Sequence, residues 1–265
     1  MRDFRFSSIR SAVIFFAASV MTGCASNTPV AGGAAEAAAF QKVVVHNWGT
    51  LSDTNILPIL LTATLVNPAE IDLQWHCRVP DAAGCFIDSN SGTNLRFELL
   101  GAVLSPVTTF DHRELKPDTR YGYRIIPFFG PPSDVVKFTT GESAKIAAKA
   151  MNAVPGRASP GRRGIFSVRS RATAAKAAPS DLTATGLAPR MAELKWRDNS
   201  RDEEGYLVEV SEGSPRHFRV MAVLRPNTIS FPTPLLPPKT ACYFRVRAYC
   251  TGGPSLALEL TTHPR

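Results

Sequence analysis

Ile71, Leu73 and Trp75 alternate with Asp72 and Gln74. A period of two turns one side chain into a core and the next toward solvent, so this stretch predicts a half-buried strand. The alternation returns in Ala192, Leu194 and Trp196 against Glu193 and Lys195. Tyr206, Val208 and Val210 alternate with Leu207 and Glu209, and Phe244, Val246 and Ala248 with Arg245 and Arg247. Turn residues separate the runs, and nothing longer than a turn or two reads as helical within them. The pattern predicts an all-β chain.

The strands recur at a fixed interval, the mark of a duplicated unit. Leu61-Thr62-Ala63-Thr64 reappears as Leu182-Thr183-Ala184-Thr185, and Trp75 returns 121 positions later as Trp196. Gly84 and Gly205, Phe97 and Phe218, Phe110 and Phe231, Leu115 and Leu236, Pro117 and Pro238, Thr119 and Thr240, and Arg124 and Arg245 keep that interval. One extra residue enters near the end, so Thr139-Thr140 matches Thr261-Thr262 at 122. Two domains are expected, over residues 42–140 and 179–263.

Leu115-Lys116-Pro117-Asp118-Thr119-Arg120-Tyr121-Gly122-Tyr123-Arg124 resembles the tyrosine corner that enters strand F of fibronectin type III domains, where a tyrosine hydroxyl bonds back to the backbone. Trp75 and Trp196 fit the family's strand B, and Gly84 and Gly205 the opening of strand C. The wording Trp196-Arg-Asp-Asn-Ser-Arg-Asp-Glu-Glu-Gly205-Tyr206 is similar to bacterial members. The resemblance covers roughly 180 residues and implies two immunoglobulin-like β-sandwiches. One departure stands out: Cys242 occupies the second corner where tyrosine belongs. Without the hydroxyl bond, the second domain is expected to be the less stable.

The N-terminus carries Arg2, Arg5 and Arg10, then the uncharged, mostly apolar run Ala12–Met21. That run is too short to span a bilayer core, which takes about 20 residues, and it has the make-up of an export signal. Met21-Thr22-Gly23-Cys24 resembles a bacterial lipobox, with Met21 where leucine is usual. The resemblance implies cleavage of residues 1–23, acylation of Cys24 and a mature chain held on a membrane through its N-terminal lipid. Ala25 rather than Asp follows the cysteine, which resembles the outer-membrane-sorted pattern of Gram-negative lipoproteins. Residues 24–41, small and polar after the cysteine, read as a tether.

Charge sharpens the organisation. The chain carries a formal +8, and residues 141–178 hold eight basic residues against one acidic, a net +7. This segment is rich in Ala, Gly, Pro, Ser and Arg, lacks alternation and reads as a long flexible basic linker. Its Arg162 and Arg163 are candidates for touching an anionic surface such as phospholipid or cell-wall polymer; the plainer reading is a soluble spacer. Export makes nucleic acid a poor partner.

Four cysteines remain besides Cys24. Cys77 shares strand parity with Trp75 and Cys85 occupies the position of Tyr206, so both point inward across one short loop. A Cys77–Cys85 disulfide is expected in an oxidising compartment. Cys242 and Cys250 bracket one strand, which would hold them about 26 Å apart, beyond disulfide reach. Cys242 is expected to be a buried thiol and Cys250 a loop thiol.

Catalytic and cofactor motifs do not emerge. The five histidines have no ligand spacing, and His76, Cys77, Cys85 and Asp88 read as packing before they read as a metal site. Asp198, Ser200, Asp202, Glu203 and Glu204 offer oxygens to calcium, but Glu203 stands where an EF-hand loop requires glycine, so the loop reads as solvated acidic surface. Alternation turns Ile126 and Phe128 away from the core, beside the loop Phe128-Phe129-Gly130-Pro131-Pro132. This apolar strip is a candidate contact site, or else packs on the second domain or the tether. The reading is a non-enzymatic envelope protein without cofactors that presents tandem sandwiches to protein or glycan. The alternative is a structural spacer or envelope-assembly lipoprotein whose linker contacts wall or membrane.

Overall fold

The structure is a computed structural model that describes residues 13–14, 42–47, 57–141, 150–151 and 175–263. Its strands are β1 (Val13–Ile14), β2 (Val43–His46), β3 (Ile59–Asn67), β4 (Glu70–Cys77), β5 (Gly84–Ser91), β6 (Glu98–Leu104), β7 (Thr109–Arg113), β8 (Arg120–Phe129), β9 (Val135–Thr139) and β10 (Ala150–Met151). After a 3-10 turn at Ala175–Ala177 come β11 (Ser180–Ala188), β12 (Met191–Arg197), β13 (Gly205–Glu212), β14 (Arg219–Leu224), β15 (Ser230–Pro232), β16 (Ala241–Thr251) and β17 (Leu258–Thr261).

The predicted alternation is met strand by strand. On β4, Ile71, Leu73 and Trp75 are buried, and on β12 Ala192, Leu194 and Trp196 are. In each repeat they face a second sheet across a shared apolar core, the arrangement of a β-sandwich. The first sandwich packs β2-β3-β4-β7 on a layer containing β6, β5 and β8; the second packs β11-β12-β15 on a layer containing β14, β13 and β16.

Each of those layers is completed by a strand from the other repeat. β9 follows β8 in sequence but pairs with β16, from Thr139 opposite Ala241 to Val136 opposite Phe244. β17 follows β16 but pairs with β8, from Leu258 opposite Tyr123 to Thr261 opposite Arg120. Val136 and Phe138 therefore fill the second core, and Leu258 and Leu260 fill the first. The unit expected at 42–140 gives its last strand to the second sandwich, and that at 179–263 gives its last strand to the first.

The same side chains secure both crossings. Ser133 donates its N–H to Val246 O (2.7 Å) while its Oγ accepts from Val246 N (3.0 Å). Ser255, at the matching place, does the same to Ile125 at 2.8 and 3.0 Å. Beyond each exchanged strand a threonine closes the graft. Thr140 Oγ1 donates to Pro237 O and accepts from Thr240 N; Thr262 Oγ1 donates to Lys116 O and accepts from Thr119 N.

The hinges explain the path. In Gly130-Pro131-Pro132, each ring fixes φ, and Pro132 holds Pro131 in extended backbone, so the chain leaves β8 without the tight turn of a hairpin. Gly130 has φ +137°, and a Cβ there would lie 2.0 Å from Ala248 O. Only glycine lets the two segments pass so closely. The other hinge begins Gly252-Gly253-Pro254. Where the crossings meet, Cys250 pairs with Phe129 and Thr251 with Phe128, joining the two layers into one sheet.

Candidate functional site

The strip expected to be a contact surface is consumed by this joint. Phe128 is 0% exposed and packs with Phe86, Leu104, Leu207, Val220 and Tyr249, residues of both repeats. Phe86 meets Phe128 at 4.9 Å and Tyr249 at 5.0 Å between ring centroids, inside the range of favourable aromatic pairs. Phe129 is buried against Cys250, Val79 and Ala82, and Ile126 is partly buried at the edge of the Phe128 cluster. Of the two readings of Ile126, Phe128 and Phe129, the open contact site is corrected and the packing on the second domain is what the structure shows. Alternation fixed which face they occupy, and the crossed strands brought the second repeat over that face. Cys250 is corrected as well: β16 runs on to reach β8, so the expected loop thiol is a strand residue, 2% exposed.

Charge lines the same face at matching places. Arg124 pairs with Asp88 at 2.8 Å and lies 4.5 Å above the Phe97 ring; Arg245 pairs with Glu209 and lies 4.1 Å above Phe218. Each is an ion pair reinforced by a cation–π contact. The second repeat adds Arg247, where the first has Ile126. Buried Arg247 donates to the fully buried Glu209 at 2.7 Å and to Gly130 O, tying the hinge to the ion pair.

The tyrosine corner is present: Lys116 N donates to Tyr121 Oη at 3.0 Å. Beside it, His112 Nδ1 and the buried Tyr123 Oη lie 2.8 Å apart, and burial holds His112 below the ordinary imidazole value. Cys242 fills the corresponding corner of the second repeat, fully buried, its thiol pushed up to about 11 by burial first and Glu212 second.

Cys77 and Cys85 face one core from opposite sheets, as parity required. The expected disulfide is not formed in the structure; both are free thiols. They share a hydrogen bond, which draws Cys77 down to about 7 against the opposing effect of burial, while the same bond and burial drive Cys85 far up.

The acidic loop of the second repeat spends its oxygens internally. Glu203 accepts from Asn227 N at 3.0 Å, Glu204 takes both Thr251 N and Thr251 Oγ1, and Asp198 caps Ser200 N. Those contacts, rather than solvent alone, account for its carboxylates. Among the described residues the one group of acidic oxygens close enough to share a cation is Glu70, Asp72 and Asp111, which sequence reasoning missed. Arg113 bridges two of them, to Glu70 at 2.8 Å and Asp111 at 3.2 Å, so the cluster carries its own cation. Asp88, imagined beside His76 and the thiols, is engaged by Arg124 instead. Large exposed apolar side chains sit mostly in loops, Leu95 at 71% and Leu235 at 64% foremost. Cys24, Arg162 and Arg163 lie outside the described residues. Among the described residues no helix is long and apolar enough to cross a membrane.

No family model matches the chain, and no curated protein does. Among solved structures it is similar to the FN1-FN3 domains of chicken CNTN1, at 12% identity over 77% of this chain and 97% of that one, with a TM-score of 0.26. It is also similar to a two fibronectin type III domain segment of chicken tenascin, at 14% identity over 76% and 97%, with a TM-score of 0.25. The fold type rests on the strand order and the corner geometry of this chain. The fold is a pair of fibronectin type III-like sandwiches. What is particular to this fibronectin type III-like pair is that neither sandwich is complete without a strand of the other.

Proposed function

We propose that the chain is a lipid-anchored envelope protein that presents its two sandwiches, as one body, for binding protein or glycan. The observation that carries the reading is the reciprocal strand exchange. It makes a single platform with loops at both ends, suited to display on the tether of residues 24–41. Anchoring at Cys24 is supported by the lipobox, since each buried methylene contributes about 0.8 kcal/mol and several chains give a stable hold. Fold alone does not select a ligand. Loss of the Phe128 strip as an open surface moves the expected contact to the loops around Leu95 and Leu235.

The same loss favours a second reading, a structural spacer whose basic linker, with Arg162 and Arg163, lies against membrane or wall. The anchor is tested by intact mass of protein extracted from membranes with detergent, beside Cys24→Ala. Removal of residues 1–23 with added acyl mass, and release of the variant to the soluble fraction, is the expected result. An unlipidated mass would overturn the anchor. Binding is tested with a glycan array and an envelope pull-down, each repeated with Leu95→Ser and Leu235→Ser. Signals that these changes reduce support display. Blank results in both, together with wall or membrane association lost on neutralising Arg162 and Arg163, support the spacer.

A further inference from the structure

Cys77 ends β4 and Cys85 is the second residue of β5, so the pair stands on the two sheets of the first sandwich across a loop of six residues, 78–83. Cys85 is part of one apolar core, Cys77 packs against that core, and the two thiols interact. Their exposure differs: Cys77 is half-buried and Cys85 only 4% exposed. Cys77 is thus the sulfur of the pair that a molecule in solution can reach, and the thiol that a nucleophilic role requires to be accessible. The other two described thiols are unlike it, since Cys242 and Cys250 are buried and Cys242 is driven toward the protonated form.

We propose that Cys77 and Cys85 form a thiol–disulfide exchange site, in which Cys77 takes up a small disulfide and Cys85 resolves it. In the first step the Cys77 thiolate attacks one sulfur of the external disulfide. A Cys77–S–S–R bond forms, the external S–S bond breaks, and R–S⁻ leaves. In the second step Cys85 gives its proton to the released R–S⁻, and its thiolate attacks the Cys77 sulfur. The Cys77–Cys85 bond forms, and the second R–S⁻ leaves and is protonated. The two protein thiols are oxidised by two electrons, and the external disulfide is reduced to two thiols. Disulfide thus closes the loop that carries Val79 and Ala82, the residues packed on Phe129 and Cys250 at the inter-repeat joint. Oxidation therefore pins the first sandwich where the second rests on it. The inference stands whether or not Cys24 is acylated.

The reduced chain is incubated with glutathione disulfide, alkylated under denaturing conditions, digested and mapped by mass. The expected product is a peptide pair linked through Cys77 and Cys85, with Cys242 and Cys250 alkylated. Cys85→Ser and Cys85→Ala should halt at a glutathione adduct on Cys77, and Cys77→Ser should leave Cys85 unmodified. Closing the loop should also raise the melting temperature of the unmutated chain by about 5 °C or more, and leave Cys77→Ser unmoved. Absence of the linked peptide from the unmutated chain would overturn the proposal, even if the variants fail to fold. So would adducts that prefer Cys242 or Cys250.

Discussion

Tyr121 and Cys242 hold one position in two repeats and differ by a hydroxyl that can reach the backbone. Tyr121→Phe keeps the ring and removes the acceptor of Lys116 N. A net hydrogen bond is worth about 1 kcal/mol, and stranding a partly buried donor costs somewhat more. Unfolding by urea should show a loss of about 1–2 kcal/mol. His112 supplies a pH dependence at the same corner. Burial lowers its value in the folded state, so the unfolded chain binds the proton first as pH falls. Its contribution is therefore complete above the unfolded value of about 6.5, and is lost as pH falls from there through the lower folded value. The rings of Tyr121 and Tyr123 pack edge-on against it and the Tyr123 hydroxyl meets its Nδ1, and none of these offsets a positive charge at that pH. Denaturation at pH 7.5 and 5.5 should show a weaker fold at the lower pH. The difference should shrink in His112→Asn.

At the scale of elements, the serines at the crossings matter more than their size suggests. Ser133→Ala leaves Val246 N without an acceptor in the interior, and Ser255→Ala does the same to Ile125 N. Each should cost about 1–3 kcal/mol. Because each crossing strand belongs to one repeat and completes the other, both sandwiches should weaken together. Hydrogen exchange read by mass should show β4 and β12 losing protection in parallel in either variant; loss confined to one sandwich would count against the exchange.

These elements were largely legible in the sequence. Alternation located the paired strands around Trp75 and Trp196, and Gly84 and Gly205 open β5 and β13 as read. What the chain could not disclose is which F strand each last strand joins. Thr139-Thr140 and Thr261-Thr262 match because they meet equivalent partners, and equivalence is the same whether a strand folds back or crosses over. A duplicated sequence is silent on that choice. The one local signal lay in the hinges, where Pro131-Pro132 disfavours a hairpin. The Phe128 strip was left between two readings for a related reason. Period two tells which face a residue occupies, but what covers that face depends on pairing remote in sequence.

For the whole molecule, the exchange changes what the long basic linker does. Two sandwiches on a flexible chain would move independently, and the linker would set their separation. Here the crossed strands hold them, and the linker does not set their separation. Exchange of identical elements is ordinarily a route to dimers of separate chains; within one chain it yields a closed pair. The direct measurement is therefore to cut the linker. A protease site inserted after Gly156 is cleaved in native buffer, and the product is passed over a sizing column with light scattering. The account predicts that the two fragments travel together as one 1:1 species and part only in denaturant. Two fragments that elute separately, each folded, would contradict it.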